Sequence, residues 1–166
     1  MIWFTSDTHF WHRNIIAFCN RPYTFCEDMN EGLIRNWNKL VSDEDTVYFL
    51  GDFAFCGRKQ ADFIANQLKG EKYFVPGNHD RKKPPESFEG LEDGHVLEHE
   101  GKKFYLSHFP RERWELPDGI DFMLHGHTHG RFGAVSGEKR YDVGVDCNFY
   151  APVSVVEIVK CLTENI

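Results

Sequence analysis

The stretch TVYFLGDFAFCGRKQADFIANQLKGEKYFVPGNHD, residues 46–80, decides the fold. It opens on an apolar run at 46–50 that Gly51 and Asp52 close, as expected of a strand running into a tight turn. A helical segment over 59–69 follows, with Phe63, Ile64 and Leu68 on one face and Gly70 as its stop. A second apolar run at 72–75 then ends at Pro76 and Gly77. Strand, helix, strand in this order implies a crossover connection and parallel strands.

Working outward, residues 2–5 form another β-favouring run that ends in Ser6, Asp7 and Thr8. Between them, Thr24 and Glu27 fit a capping box, and Met29, Leu33, Trp37 and Leu40 recur at near-helical spacing, which predicts a helix over 27–40. After the basic, Pro-rich turn at 82–85 the pattern becomes β-rich. A hairpin is expected from 96–99 and 103–107, then strands at 122–125, 141–145 and 153–158. The expected fold class is α/β, with two facing mixed β-sheets flanked by helices. No repeat or long linker divides residues 1–166, so the chain reads as a single domain.

Composition excludes several classes of protein. The 166 residues are 41% hydrophobic and 15% aromatic, too apolar for a disordered chain. No apolar run reaches the ~20 residues of a membrane helix, and no signal peptide is recognisable. These observations lead to an expectation of a cytoplasmic protein with no membrane partner. With 19 basic and 26 acidic residues the net charge is -7, which argues against bulk coating of nucleic acid. The five cysteines contain no Cys-x-x-Cys pair, so they suggest neither a disulfide framework nor a thiolate zinc site.

The histidines carry the chemistry. Polar clusters end the strands: Asp7-Thr8-His9, Gly51-Asp52, Gly77-Asn78-His79-Asp80, Ser107-His108 and Gly126-His127-Thr128-His129. In open α/β sheets, ligands gather beyond the carboxyl ends of strands. Imidazole, carboxylate and amide donors without thiolate suit Mn, Fe, Zn or Co. Asp7, His9, Asp52, Asn78, His108, His127 and His129 are more donors than one ion uses while keeping an open position, so two divalent ions with a shared carboxylate are expected.

These five motifs, in this order, resemble those of the calcineurin-like metallophosphoesterases. The resemblance implies that Asp7, His9 and His129 hold a first metal, Asn78, His108 and His127 a second, and that Asp52 bridges them. It implies His79 as the catalytic acid facing the leaving group, and in-line attack by a metal-bridging hydroxide. Two divalent ions, two carboxylates and one hydroxide leave about one net positive charge, which attracts phosphate despite the acidic chain. Many relatives carry a second acid three residues after the G-D motif, but this chain has Phe55 there. Asp80 is read as fixing its loop, and His125 as a buried residue behind the ligands.

For substrate contacts the candidates are His12, Asn14 and Arg81, although His12 to Asn14 read equally as a polar turn capping the next helix. Arg21, Arg111 and Arg113 read as solvated or salt-bridged. Among Phe10, Trp11, Phe53 and Phe55, stacking on a nucleobase is weighed against core packing, which takes at least two.

The expected activity is hydrolysis of phosphate esters, more specifically diesters, because no inserted segment is long enough to cap a small substrate. The expected partner is a small phosphate-ester or nucleotide substrate. A nuclease or cyclic-nucleotide phosphodiesterase is the second reading, and a non-catalytic protein-binding scaffold on the same fold the third. A dimer through exposed apolar residues is open, and composition locates no interface.

Overall fold

The computed structural model describes residues 1–80, 84–131 and 139–164. The first strand, β1 (Ile2–Thr5), lies inside a five-stranded sheet. It pairs in parallel with β2 (Thr46–Phe49), which pairs with β3 (Glu71–Phe74), which in turn pairs with β4 (Phe88–Gly90). The fifth member, β9 (Val153–Ser154), runs antiparallel to β1. The second sheet has the order β5 (His95–His99), β6 (Lys102–Leu106), β7 (Phe122–His125) and β8 (Arg140–Asp142). Its β5–β6 hairpin is antiparallel and its other pairs are parallel. Two mixed sheets flanked by helices make this the expected α/β sandwich.

Side-chain alternation explains the layering. On β2, Val47 and Phe49 enter a core built with Met29, Leu33 and Trp37 of α2 (Cys26–Leu40) and Ile64 of α3 (Arg58–Ala65). Tyr48 and Leu50 point the other way, into a core with Phe104, Leu106, Phe122 and Leu124 of the second sheet. The first sheet is therefore the middle layer, buried on both faces. Phe49 meets Phe53, Phe74 and Phe88 at centroid distances of 5.3, 5.6 and 6.0 Å. Burying each such ring contributes about 1.5–3 kcal/mol, and this cluster anchors the chain directly beside Asp52.

Several expectations are corrected. The run at 153–158 is not a strand: only Val153 and Ser154 pair with β1, and α4 (Val155–Thr163) follows. Ser154 accepts from the Glu157 N–H while the Glu157 side chain accepts from the Ser154 N–H, a capping box that starts a helix despite the β-branched valines. Conversely, no capping box forms between Thr24 and Glu27; Phe25 is the N-cap of α2 and makes no side-chain cap bond. The strand expected at 141–145 ends at Asp142, because that carboxylate turns back to accept from the Gly144 N–H. Strand β4 and the short helix α1 (Arg13–Phe18) go beyond the sequence reading. No helix among the described residues is long and apolar enough to cross a membrane.

Candidate metal centre

Five loops leave the carboxyl ends of strands and meet. Asp7 and His9 follow β1, Asp52 follows β2, Asn78 and His79 follow β3, His108 follows β6, and His127 and His129 follow β7. Backbone bonds lock neighbouring loops: Asp7 N–H donates to Gly51 O at 2.9 Å, His9 N–H to Asp52 O at 3.1 Å, and Gly126 N–H to His108 O at 3.1 Å. Two glycines permit the approach, since a Cβ at Gly77 would overlap Asp52 and one at Gly126 would overlap Ser6 and Asp7.

Asp7, His9, Asp52, His127 and His129 all adopt positive φ, between 48° and 68°. That conformation is uncommon away from glycine and costs on the order of 1–3 kcal/mol where it is strained. Five such residues among the seven candidate ligands concentrate strain at one place, and each turn swings a side chain towards the common centre.

All seven predicted ligands are brought together. Asp7, His9 and His129 offer donor atoms within 4.8 Å of one another, and Asp52, His108 and His127 form a second such group. Asp52 Oδ2 lies 3.5 Å from His9 Nε2 and 3.5 Å from His108 Nε2, so its carboxylate faces both groups. Asn78 Oδ1 stands 3.0 Å from His108 Nε2. Asp7 and His108 are held by their other polar atoms. Asp7 Oδ2 accepts from Ser6 Oγ at 2.5 Å and His127 N–H at 2.9 Å, while His108 Nδ1 lies 2.8 Å from Leu50 O.

The atoms left over point to a cation. Asp7 Oδ1 and His9 Nε2 are buried with no hydrogen-bond partner, a condition that ordinarily costs about 1–3 kcal/mol per group. A carboxylate oxygen and an imidazole nitrogen both aimed into one space fit a divalent ion, which would satisfy both. The donor set is wholly oxygen and nitrogen, in keeping with Mn, Fe, Zn or Co.

Electrostatics agree with this reading. Burial raises the Asp7 carboxyl to about 6, against the opposing pull of His108 and His129. Burial lowers His9, with Asp52 opposing, so His9 is neutral and its approach to Asp52 is not an ion pair. For Asp52 burial acts upward, but the hydrogen bond and charge of His108 and the His79 N–H outweigh it and hold the carboxyl below its ordinary value. His129 is also opposed by burial, yet the hydrogen bond to Asp146 helps lift it to about 10.

A ligand imidazole must be neutral, so metal binding displaces protons. His129 is protonated at pH 7 without metal, and its affinity for an ion therefore rises with pH. Calorimetric titration with Mn²⁺ at pH 7, in buffers of different ionisation enthalpy, is expected to show net proton release that shrinks in Asp146→Asn. Heats independent of the buffer would contradict this protonation state.

The family model for the calcineurin-like phosphoesterases matches residues 1–113. The chain belongs to this family. An uncharacterised protein of Methanocaldococcus jannaschii is 40% identical over 172 residues, covering 99% of this chain and 92% of its own. The gene 66 protein of Mycobacterium phage D29 is 28% identical, covering 87% of each. A crystal structure of a protein of unknown function from Aquifex aeolicus superposes with a TM-score of 0.78 at 30% identity, covering 96% of this chain and 98% of that one. The protein is thus a metal-dependent phosphoesterase of the calcineurin-like family.

Four residues that brace the phosphoesterase's loops lie behind the candidate ligands. Arg21 donates from Nε and Nη2 to both Asp146 oxygens at 2.7 and 2.8 Å, and also to Thr8 O and Asp7 O at 2.8 and 2.7 Å. Asp146 in turn meets His129 Nδ1 at 2.7 Å, an outer partner that orients the ring. Arg21 and Asp146 are 125 residues apart, and no sequence signal joins them. Asp142 accepts from Thr128 Oγ1 and Gly130 N–H, steadying the loop that carries His127 and His129. Asp80 accepts from the Asp52, Phe53 and Gly77 N–H groups, which makes it the loop-fixing residue that the sequence suggested.

The remaining predicted residues divide. His12 and His79 line a cavity of about 590 Å³ with His9, His129 and Arg131. Asn14 is exposed on α1 and is not among the residues lining that cavity. Arg81 lies outside the described residues. His125 is fully buried with Nδ1 2.8 Å from Gly126 O, behind the ligands rather than among them. Arg111 pairs with Asp93, and Arg113 donates to Ile120 O. Phe10 and Phe53 are core residues, whereas Phe55 is exposed beside His12 and His79.

Proposed function

We propose that this phosphoesterase holds two divalent ions and hydrolyses phosphodiesters in preference to phosphomonoesters. The observation that carries the two-ion reading is the placement of Asp52 Oδ2 at 3.5 Å from one imidazole of each donor group. Asp7, His9 and His129 would hold one ion, Asn78, His108 and His127 the other, and Asp52 both. Bound there, divalent ions supply Lewis acidity, which lowers the pKa of water towards about 7 and neutralises charge on a phosphoryl group.

The chain's own residues supply the rest. His79 is exposed at the cavity, where its imidazole can protonate a departing oxygen. Its backbone N–H donates to Asp52 Oδ1 at 2.9 Å, which ties the acid to the shared carboxylate. Asp80 serves the loop instead, its two oxygens accepting from three backbone N–H groups. Phe55 meets the ring at an angle of 67° and 6.0 Å and limits its swing on that side. With His79 and Phe55 both exposed, the cavity mouth leaves room for the second ester arm of a diester.

Initial rates on bis(p-nitrophenyl) phosphate, p-nitrophenyl phosphate and a cyclic nucleotide with added Mn²⁺ test the proposal. A kcat/KM higher for the diester is expected, and a clear preference for the monoester would overturn the diester assignment. His79→Ala is expected to lower kcat about 10²–10⁴-fold on an alkyl diester, the range of general acid catalysis. The loss should be much smaller with a nitrophenolate leaving group, which departs without a proton. Equal losses on both substrates would remove the acid role.

A further inference from the structure

Two phenylalanine rings stand in water at the mouth of the centre. Phe18 is 72% and Phe55 54% exposed, and both line the cavity that holds His9, His79 and His129. An exposed aromatic ring leaves apolar surface that a partner could bury, and here two lie together beside candidate catalytic groups.

The rings form a row. His12 stacks on Phe55 with centroids 4.5 Å apart and planes at 23°, and Phe18 meets His12 edge-on at 6.4 Å and 77°. At the other end His79 meets Phe55 at 6.0 Å. A smaller recess of about 250 Å³ touches Phe55, Ala54, Cys56 and His79 but not His12. Phe55 therefore offers ring surface on a side that His12 does not cover. The larger cavity, at about 590 Å³, falls in the usual size range for a small-molecule site, about 300–1,000 Å³.

We infer that Phe18 and Phe55 form a stacking platform for the base of a nucleotide, so that the phosphoester cleaved here is a nucleotide diester, cyclic or within a short oligonucleotide. The inference rests on the phosphoesterase reading of the adjoining centre. Every base presents a flat π-face, and stacking on aromatic side chains binds bases with little regard to sequence. A sugar phosphate lacking a base offers no such face. Arg131, exposed on the cavity lining, supplies one positive charge for a second phosphate. The net charge of -7 favours a short ligand over a long polyanion.

Binding of the 5′-phosphonate analogues of AMP and of ribose 5-phosphate to the Mn²⁺-loaded protein tests this by calorimetry. A P–C bond replaces the ester in both ligands, so neither is consumed, and they differ only in the base. The native protein is expected to bind the adenosine analogue about ten-fold more tightly or better, the gain that base stacking provides. In Phe55→Leu and Phe18→Leu, which alter only exposed rings, the affinity ratio is expected to fall towards one. A ratio near one in the native protein overturns the platform but leaves the phosphoesterase reading intact, as does a ratio unchanged in both variants. Failure of both analogues to bind the metal-loaded protein also overturns the platform, whereas the diester reading stands or falls with the rates on bis(p-nitrophenyl) phosphate.

Discussion

Asp52→Asn is expected to lower kcat/KM for bis(p-nitrophenyl) phosphate at least about a thousand-fold, corresponding to a loss of several kcal/mol of transition-state stabilisation. The amide nearly matches the carboxylate in shape, so packing around Phe49 and Phe53 should survive. What disappears is the negative charge at the one oxygen that faces both donor groups, His9 on one side and His108 on the other. An Asn oriented to accept the His79 N–H, as Asp52 Oδ1 does, turns its NH₂ group towards both donor groups. Metal content measured on the purified variant should fall alongside activity. Native-like turnover with both ions retained would show that Asp52 is not shared.

Arg21→Ala is expected to destabilise the metal-free protein by about 3–5 kcal/mol, the range for removing one partner of a buried ion pair. That is a large fraction of a typical total stability of about 5–15 kcal/mol. The Arg21 side chain has 0% exposure and Asp146 4%, so solvent cannot readily replace the lost contacts, and His129, which keeps its own bond to Asp146, offers nothing to Thr8 O and Asp7 O. Arg21→Lys should recover only part of the loss, because an ammonium cannot reproduce the paired bonds to Asp146 together with those to Thr8 O and Asp7 O. Urea unfolding of both variants, with Asp146→Ala completing a double-mutant cycle, measures the coupling. A loss below about 1 kcal/mol for Arg21→Ala would mean that the pair contributes little. Since Asp146 also holds His129 Nδ1, the same substitution should weaken Mn²⁺ binding by about 10–100-fold, as loss of an outer partner commonly does.

Much of the fold was legible because apolar runs of the right length alternate with helical spacing. β1, β2, β3, α2 and α3 lie within a few residues of their expected limits. The failures have local causes. Val153, Val155 and Val156 suggested a strand, yet Ser154 and Glu157 carry the stronger signal, because their capping box satisfies backbone N–H groups at a helix start. Thr24 and Glu27 present the same pattern without forming the box, since the chain enters α2 through Phe25 instead. Strand β4 is three residues long and held by pairing with β3, too short for periodicity to reveal.

The identities of the candidate ligands, and membership of the calcineurin-like family, follow from sequence alone: residue types that donate oxygen and nitrogen to metals recur beside turns at strand ends. Tertiary structure decided how those residues present their atoms. The left-handed backbone at Asp7, His9, Asp52, His127 and His129 is sustained by contacts between loops, not by local preference. The bracing of His129 by Arg21 through Asp146 joins positions 125 residues apart, and the placement of Phe18 and Phe55 on one cavity likewise joins separate segments. Sequence patterns record what a residue can do chemically over a few neighbours, whereas long-range contacts depend on how the packed layers bring distant segments together.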